Sequence, residues 1–218
     1  MNRWDWNNVS DFMPHFWDGV LVTLQMLVLG SLVSFGLGLV WALLMRTGTR
    51  WVTWPLGLVT EFIRNTPLLV QLFFAFFVFP EWNITFSAET TGVLVLGLHY
   101  STYTMQVYRA GIEAIPVGQW EAARALSLPL SRTWMAVVLP QAIRRVIPAL
   151  GNYVISMLKD TPILMAITVM EMLGEAKQFS QSNFTFVEPL TIIGIAFIVI
   201  SYPASVLLRA LERRLVYK

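Results

Sequence analysis

Four stretches of this chain carry no Asp, Glu, Lys or Arg, and they constrain its fold more than any other feature. Gly19 to Met45 gives 27 such residues, Asn65 to Pro80 gives 16, Thr90 to Tyr108 gives 19 and Pro189 to Leu208 gives 20. A helix rising 1.5 Å per residue needs about 20 apolar residues to cross a hydrocarbon layer roughly 30 Å thick. The first, third and fourth runs meet that length. The second meets it if it begins near Val59 and takes in Glu61 and Arg64. A fifth candidate runs from about Val146 to Met172, interrupted by Lys159 and Asp160. Backbone groups in lipid must be paired within their own segment, so these runs are read as helices. The polar/apolar alternation of a membrane β-barrel is absent.

Composition agrees. Of 218 residues, 56% are hydrophobic and only 13% charged, against about 25% charged in a soluble domain. The expectation is an all-α, polytopic membrane protein with five transmembrane helices. A net charge of +2 offers no strongly basic surface, so nucleic acid is not an expected partner. There is no Cys and only two His, at His15 and His99, which argues against a disulfide framework and against a metal site.

Lys and Arg orient the chain, because they concentrate on the cytoplasmic side. With the N-terminus outside, Arg46, Arg50, Arg64, Arg109, Arg124, Arg132, Arg144, Arg145, Lys159, Arg209, Arg213, Arg214 and Lys218 fall on cytoplasmic segments or their helix ends. That is 13 of 15 basic residues, with Arg3 and Lys177 outside. The C-terminus is then cytoplasmic. Residues 1–18 are acidic, with Asp5, Asp11 and Asp18 against Arg3, so they do not form a signal peptide. Their Trp4, Trp6, Phe12, Phe16 and Trp17 suit an extracytoplasmic interfacial segment. Gly30, Ser34 and Gly38 form a stripe of small residues on the first span, suited to close helix packing within the chain or between subunits.

The stretch 116–145 is the long patterned loop of an otherwise single transmembrane domain, 1–218. Strong helix formers run from Gln119 to Leu126, and Ser127 and Pro129 end them. Ser131 is placed to cap a second short helix, and Pro140 to break or kink the chain before the next span. Glu121 and Arg124, three apart, are placed to pair with each other or to face a partner. Likewise Glu61 and Arg64 are spaced to pair. Lys159 and Asp160 are ionisable residues inside a candidate span, which are costly there and face a cavity or each other. Pro148 and Pro162 nearby suit a broken helix. His99 reads as a neutral imidazole hydrogen-bonded within the bundle.

The loop resembles the EAA loop of ABC-transporter permeases. Glu121-Ala122-Ala123 matches the Glu-Ala-Ala pattern, Val138-Leu139-Pro140 matches the later Ile-x-Leu-Pro, and Ser127 stands where the family has Gly. The likeness extends over most of the chain. Glu61, Arg64, Thr66, Pro67, Leu68, Leu69 and Gln71 match a block of the polar amino-acid uptake permeases. Tyr103, Gln106, Arg109, Ala110 and Gly111 match a second block, with Gln106 at a usual Glu. Lys159, Asp160, Thr161, Pro162 and Ile163 stand at a third. Within that family the chain is most similar to permeases of ectoine and hydroxyectoine uptake systems.

The resemblance implies a type I importer permease of MetI-like fold in the bacterial cytoplasmic (inner) membrane, moving a polar solute inward by alternating access. Implied partners are two ABC ATPase subunits, a second permease (a homologous chain or a copy of this one), an extracytoplasmic solute-binding protein and the lipid bilayer. The coupling residues it implies are Gly118, Gln119, Glu121, Ala122, Ala123, Arg124, Ser127, Leu139 and Pro140. Glu61, Arg64, Tyr103, Gln106, Lys159, Asp160 and Thr161 are the candidates for the translocation path or gate. No phosphate-cradling Gly-x-x-x-x-Gly-Lys loop is present. The chain is therefore expected to bind no cofactor and to catalyse no reaction, with ATP and Mg on the partner ATPase. A channel would want a filter or charged rings, and neither is seen. A membrane scaffold recruiting partners through 116–145 is the other reading.

Overall fold

The computed structural model describes residues 4–216, and these contain helices and no strand. α1 spans Trp6–Arg46 and α2 Arg50–Asn65. α3, Leu68–Phe73, continues through a π turn (Phe74–Val78) and a 3-10 turn (Phe79–Trp82). α4 is Ala88–Glu113 and α5 Val117–Ala125. α6, Leu130–Arg132, runs by a π turn (Thr133–Val138) into α7, Leu139–Asp160. A 3-10 turn, Thr161–Ile167, separates α7 from α8, Met172–Asn183, and α9 is Val187–Val216.

By length and composition, α1 and α9 can each cross a membrane. Two helix pairs reach that length and composition only when taken together, and each is bent: α2 with α3 by 104°, and the α6–α7 segment with α8 by 45°. α4 has 26 residues, about 39 Å of helix, and its inward face mixes apolar Val95, Leu96 and Met105 with hydroxyl side chains. Thr91, Ser101, Thr102 and Thr104 are all buried there, and their hydroxyls bond to carbonyls of their own helix. α4 packs chiefly against α1 and α7, with α2 and α3 beside it.

The closest seam joins α1 to α4. Gly30 faces Leu96 and Gly38 faces Met105, so the two helices run parallel. The Thr104 hydroxyl donates to the Ser34 carbonyl at 2.9 Å, and Trp41 Nε1 donates to Ser101 Oγ at 3.1 Å. The small-residue stripe is therefore spent on packing inside the chain. α8 lies against the first half of α1: Met172 N–H donates to Thr23 Oγ1 at 3.1 Å, and His15 Nδ1 meets Glu175 Oε2 at 3.2 Å. At that same end Glu188 ties the start of α9 to the start of α1. It accepts from Asp5 N–H at 2.8 Å and from the Thr185 hydroxyl at 2.7 Å. Elsewhere the surface is apolar: Leu21, Leu32, Ile198 and Leu207 are each more than 60% exposed. Such a belt is an aggregation liability in water and is at home in lipid.

Four boundaries differ from the sequence reading. Residues 6–18 are no separate segment; α1 passes through Pro14 and Asp18 unbroken, and residues 1–3 lie outside the described range. The second span is not one rod. Pro67 lacks an N–H and holds Thr66 extended, so the chain turns there. The helix expected after a Ser131 cap begins at Leu130, with Pro129 at the cap position. Pro140 does not break the chain: it sits in the first turn of α7, directly after the π turn Thr133–Val138. The break expected near Lys159 is present, in the 3-10 turn that Pro162 opens.

Candidate functional site

α5 is a short helix presented on the end of the bundle opposite the α1 N-terminus. Gly118, Gln119, Glu121, Ala122 and Arg124 are exposed on it, while Ala123 is buried against the bundle. Around them stand Val117, Leu126, Leu130 and Met135, each about 70% exposed. Sequence reasoning passed over these four, because apolar residues next to membrane spans give no contrast. The resulting surface is a carboxylate, a guanidinium and an alanine within an apolar rim, which suits insertion into a groove. Glu121 and Arg124 do not pair: among the described residues the ion pairs are His15–Glu175 and Arg109–Glu113. Both charges are left free for a partner.

Ser127 explains how α5 ends. Its φ is +52°, the left-handed region that Gly enters at little cost. Ser127 N–H donates to Arg124 O at 2.9 Å and Leu128 N–H to Ala123 O at 3.0 Å. This is the Schellman pattern, in which a left-handed residue lets the chain satisfy the last helical carbonyls. Serine here makes the turn that glycine would make.

The loop is seated by a small cluster in which Ile115, Val138 and Ala142 are buried and Trp120 and Trp134 pack over them. Gln141 Nε2 donates to Gln119 Oε1 at 3.1 Å, and an Arg145 guanidinium nitrogen donates to the Ala114 carbonyl. Leu139 and Pro140 are exposed at the start of α7.

A second constellation lies between α3, α4 and α7. Tyr100, 4% exposed, donates its hydroxyl to Asp160 Oδ2 at 2.6 Å. Its ring lies 6.1 Å from Tyr103 and 6.3 Å from Tyr153, and Tyr103 and Tyr153 lie 5.5 Å apart. His99 joins the group 5.5 Å from Tyr103 and meets the Gln71 side chain through Nδ1 at 3.1 Å. Gln71 in turn donates to the carbonyls of Ile63 and Thr66, at 2.6 and 2.9 Å. These carbonyls lie where α2 ends and Pro67 offers no N–H; the Ile63 carbonyl also accepts from Thr66 N–H at 3.3 Å, so Gln71 pins the bend. Tyr103, His99 and Tyr153 are each half-buried, giving an aromatic and polar wall rather than a closed core.

Of the path candidates, Tyr103 and Asp160 are brought together through Tyr100. Thr161 adjoins them but is fully buried, its hydroxyl turned back to Leu158 O at 2.8 Å. Lys159 is exposed and does not pair with Asp160. Glu61 and Arg64 likewise form no pair, with Glu61 exposed and Arg64 half-buried on α2. Gln106 is exposed about one turn beyond Tyr103, where it borders an open hollow with Gly111, Arg145 and Ala149. Tyr100, Tyr153 and Gln71 were missed as a group. The available signal was that an Asp in a membrane segment needs a donor.

Residues 34–217 match the family model for binding-protein-dependent transport system inner membrane components. A probable amino-acid ABC transporter permease protein, y4tG of Sinorhizobium fredii (strain NBRC 101917 / NGR234), is 45% identical over 96% of this chain and 93% of its own length. The L-cystine transport system permease protein TcyB of Bacillus subtilis (strain 168) is 34% identical over 97% of this chain and 91% of its own. Among solved structures, a chain from an amino acid ABC transporter crystallised with histidines superposes with a TM-score of 0.91. It is 32% identical, and the match covers 98% of this chain and all of that one. The MetNI methionine ABC transporter, in an inward-facing conformation, matches at 17% identity and a TM-score of 0.72, a likeness of fold alone.

Proposed function

The chain belongs to the family of binding-protein-dependent transport system inner membrane components, and on that premise we propose that it is the permease subunit of an ABC importer for a polar amino acid. Such permeases are transport subunits and not themselves enzymes. The observation that carries the reading is α5: a short helix with Glu121, Ala122 and Arg124 outward and unpaired, inside a rim of four exposed apolar side chains. A groove in an ATPase is the natural complement, and rigid-body movement of a docked helix is a direct way to switch a bundle between two states.

The topology that goes with it has five passages: α1, α2 with α3, α4, α7 with α8, and α9. The N-terminus is outside and α5 cytoplasmic, in a bacterial inner membrane. The distribution of Lys and Arg supports this orientation. Two ATPase subunits hold ATP and Mg, a second permease completes the pathway, and a binding protein delivers solute to the face formed by the α1 N-terminus and the α8–α9 turn. His99, Tyr103 and Tyr153 are the groups offered to solute, with Gln71 and Asp160 fixing them from behind. Aromatic faces with a carboxylate nearby suit a cationic or zwitterionic amino acid. The relatives named for particular solutes carry amino acids. Ectoine or hydroxyectoine, zwitterions of similar size, rests on sequence likeness alone.

The test is to purify the tagged chain with its neighbours from native membranes, identify them by mass, and assay uptake in proteoliposomes. ATP-dependent uptake with a co-purifying ATPase supports the reading. A scaffold would give partners without uptake, and a channel would give uptake without ATP.

A further inference from the structure

Arg46 is the last residue of α1, and its guanidinium carbon lies 4.3 Å from the centroid of the Trp134 ring and 5.8 Å from that of Trp120. The two indoles meet edge to face at 5.5 Å. Among the described residues Arg46 takes part in no ion pair, so the aromatic faces are what hold it. A guanidinium over an indole face is the most favourable form of this attraction.

The stack joins three elements that the chain separates by many residues: the end of α1, the middle of α5 and the turn that leads into α7. The other contacts that seat α5 lead to α7. They are the Ile115, Val138 and Ala142 cluster and the Gln119–Gln141 bond. The Arg46 stack leads to α1 instead, and α1 is packed along α4 by the Gly30, Ser34 and Gly38 stripe. We infer that Arg46 is a positioning residue for coupling: it latches α5 to α1, so that force delivered at Glu121 and Ala122 moves α1 and α4 together with α7. The inference rests on the permease reading above. Nothing in it requires Arg46 to touch solute, nucleotide or the ATPase.

The experiment uses the intact complex in proteoliposomes, with a mixture of radiolabelled cystine, glutamine and arginine as probe and ATP hydrolysed per solute moved as the readout. Arg46→Gln is expected to keep ATP hydrolysis within about twofold of wild type while uptake falls about fivefold or more, the scale of an ordinary coupling between sites. Arg46→Lys, which keeps a cation over the ring, is expected to recover most of the uptake. Trp134→Leu should reproduce Arg46→Gln, and the double variant should be no worse than either alone. An unchanged ratio of ATP to solute in both Arg46→Gln and Trp134→Leu, or additive losses in the double variant, would overturn the latch.

A second readout is independent of uptake. The chain has no cysteine, so spin labels on Thr47→Cys and Ala125→Cys report the distance from α1 to α5 directly. A narrow distribution that broadens on Arg46→Gln supports the latch, and one that does not broaden refutes it. If wild type itself shows no ATP-driven uptake, the permease reading fails, and the spin-label result still decides the latch.

Discussion

The Tyr100 hydroxyl and the Asp160 carboxyl group meet at 2.6 Å across 60 residues of sequence, fastening α4 to the last residue of α7. The bond lies at the point where α7 gives way to the 3-10 turn. It therefore ties α4 to the residue next to the turn that Pro162 opens.

Tyr100→Phe removes the donor and leaves a half-buried carboxyl group without it. The expected loss is about 1–2 kcal/mol of stability, within the range for one hydrogen bond to an acidic group. Asp160→Asn keeps an acceptor oxygen and should lose less. Thermal unfolding of the detergent-solubilised protein, followed by near-UV circular dichroism, ranks the two; an unchanged midpoint in Tyr100→Phe would mean that the bond itself contributes little.

Gly38 has no room for a side chain. A Cβ there would run into the Thr104 hydroxyl and lie 3.0 Å from Met105 N. Gly38→Ala should destabilise by about 1–3 kcal/mol through overpacking. Gly36→Ala, two residues away in open space, should be neutral or slightly stabilising. Melting temperatures of the two variants that coincide would contradict the packing described for α1 and α4.

Ser127 occupies the left-handed region at φ +52°, which costs a non-glycine residue about 1 kcal/mol. Ser127→Gly should therefore tighten the end of α5 and raise stability by roughly 0.5–1 kcal/mol. Ser127→Val should lower it and weaken binding of the ATPase. Hydrogen exchange at the amides of residues 126–128 gives the local answer, with slower exchange expected in the glycine variant.

Reversing the charge at Glu121 tests the docking face. Glu121 is exposed and unpaired, so Glu121→Lys should leave folding and membrane insertion intact. It should abolish or sharply reduce co-purification of the ATPase, and solute uptake with it. Normal uptake by this variant would remove Glu121 from the coupling surface.

The uncharged runs made the long helices legible, because the absence of charge reports directly on the surroundings of a segment. They misplaced boundaries for the same reason. Asp18 marks where surroundings change, not where hydrogen bonding stops, and α1 runs through it. Asn65 to Pro80 is uncharged on both sides of Pro67, so a count of apolar residues joins what the backbone bends by 104°. α5 was legible from its helix formers and its terminating Ser127. Its apolar rim was not, since Val117, Leu126, Leu130 and Met135 look like their neighbours in sequence and differ only in having nothing packed on them. The Tyr100–Asp160 and Gln71–His99 contacts join distant positions, and one sequence holds no record of which donor finds which acceptor. Only the need for a partner could be read, from an acid and an imidazole placed in membrane segments.

With 41 residues, α1 is a rod about 61 Å long, roughly twice the thickness of the hydrocarbon layer. One end is tied to the Glu188 and Glu175 side chains and the other to the Trp134 ring. Pivoting such a rod by about 5° displaces its two tips by about 5 Å relative to one another, by the geometry of its length alone. A small rocking motion, too slight to disturb the packed middle, thus becomes a displacement of nearly one helical turn where the protein meets its partners.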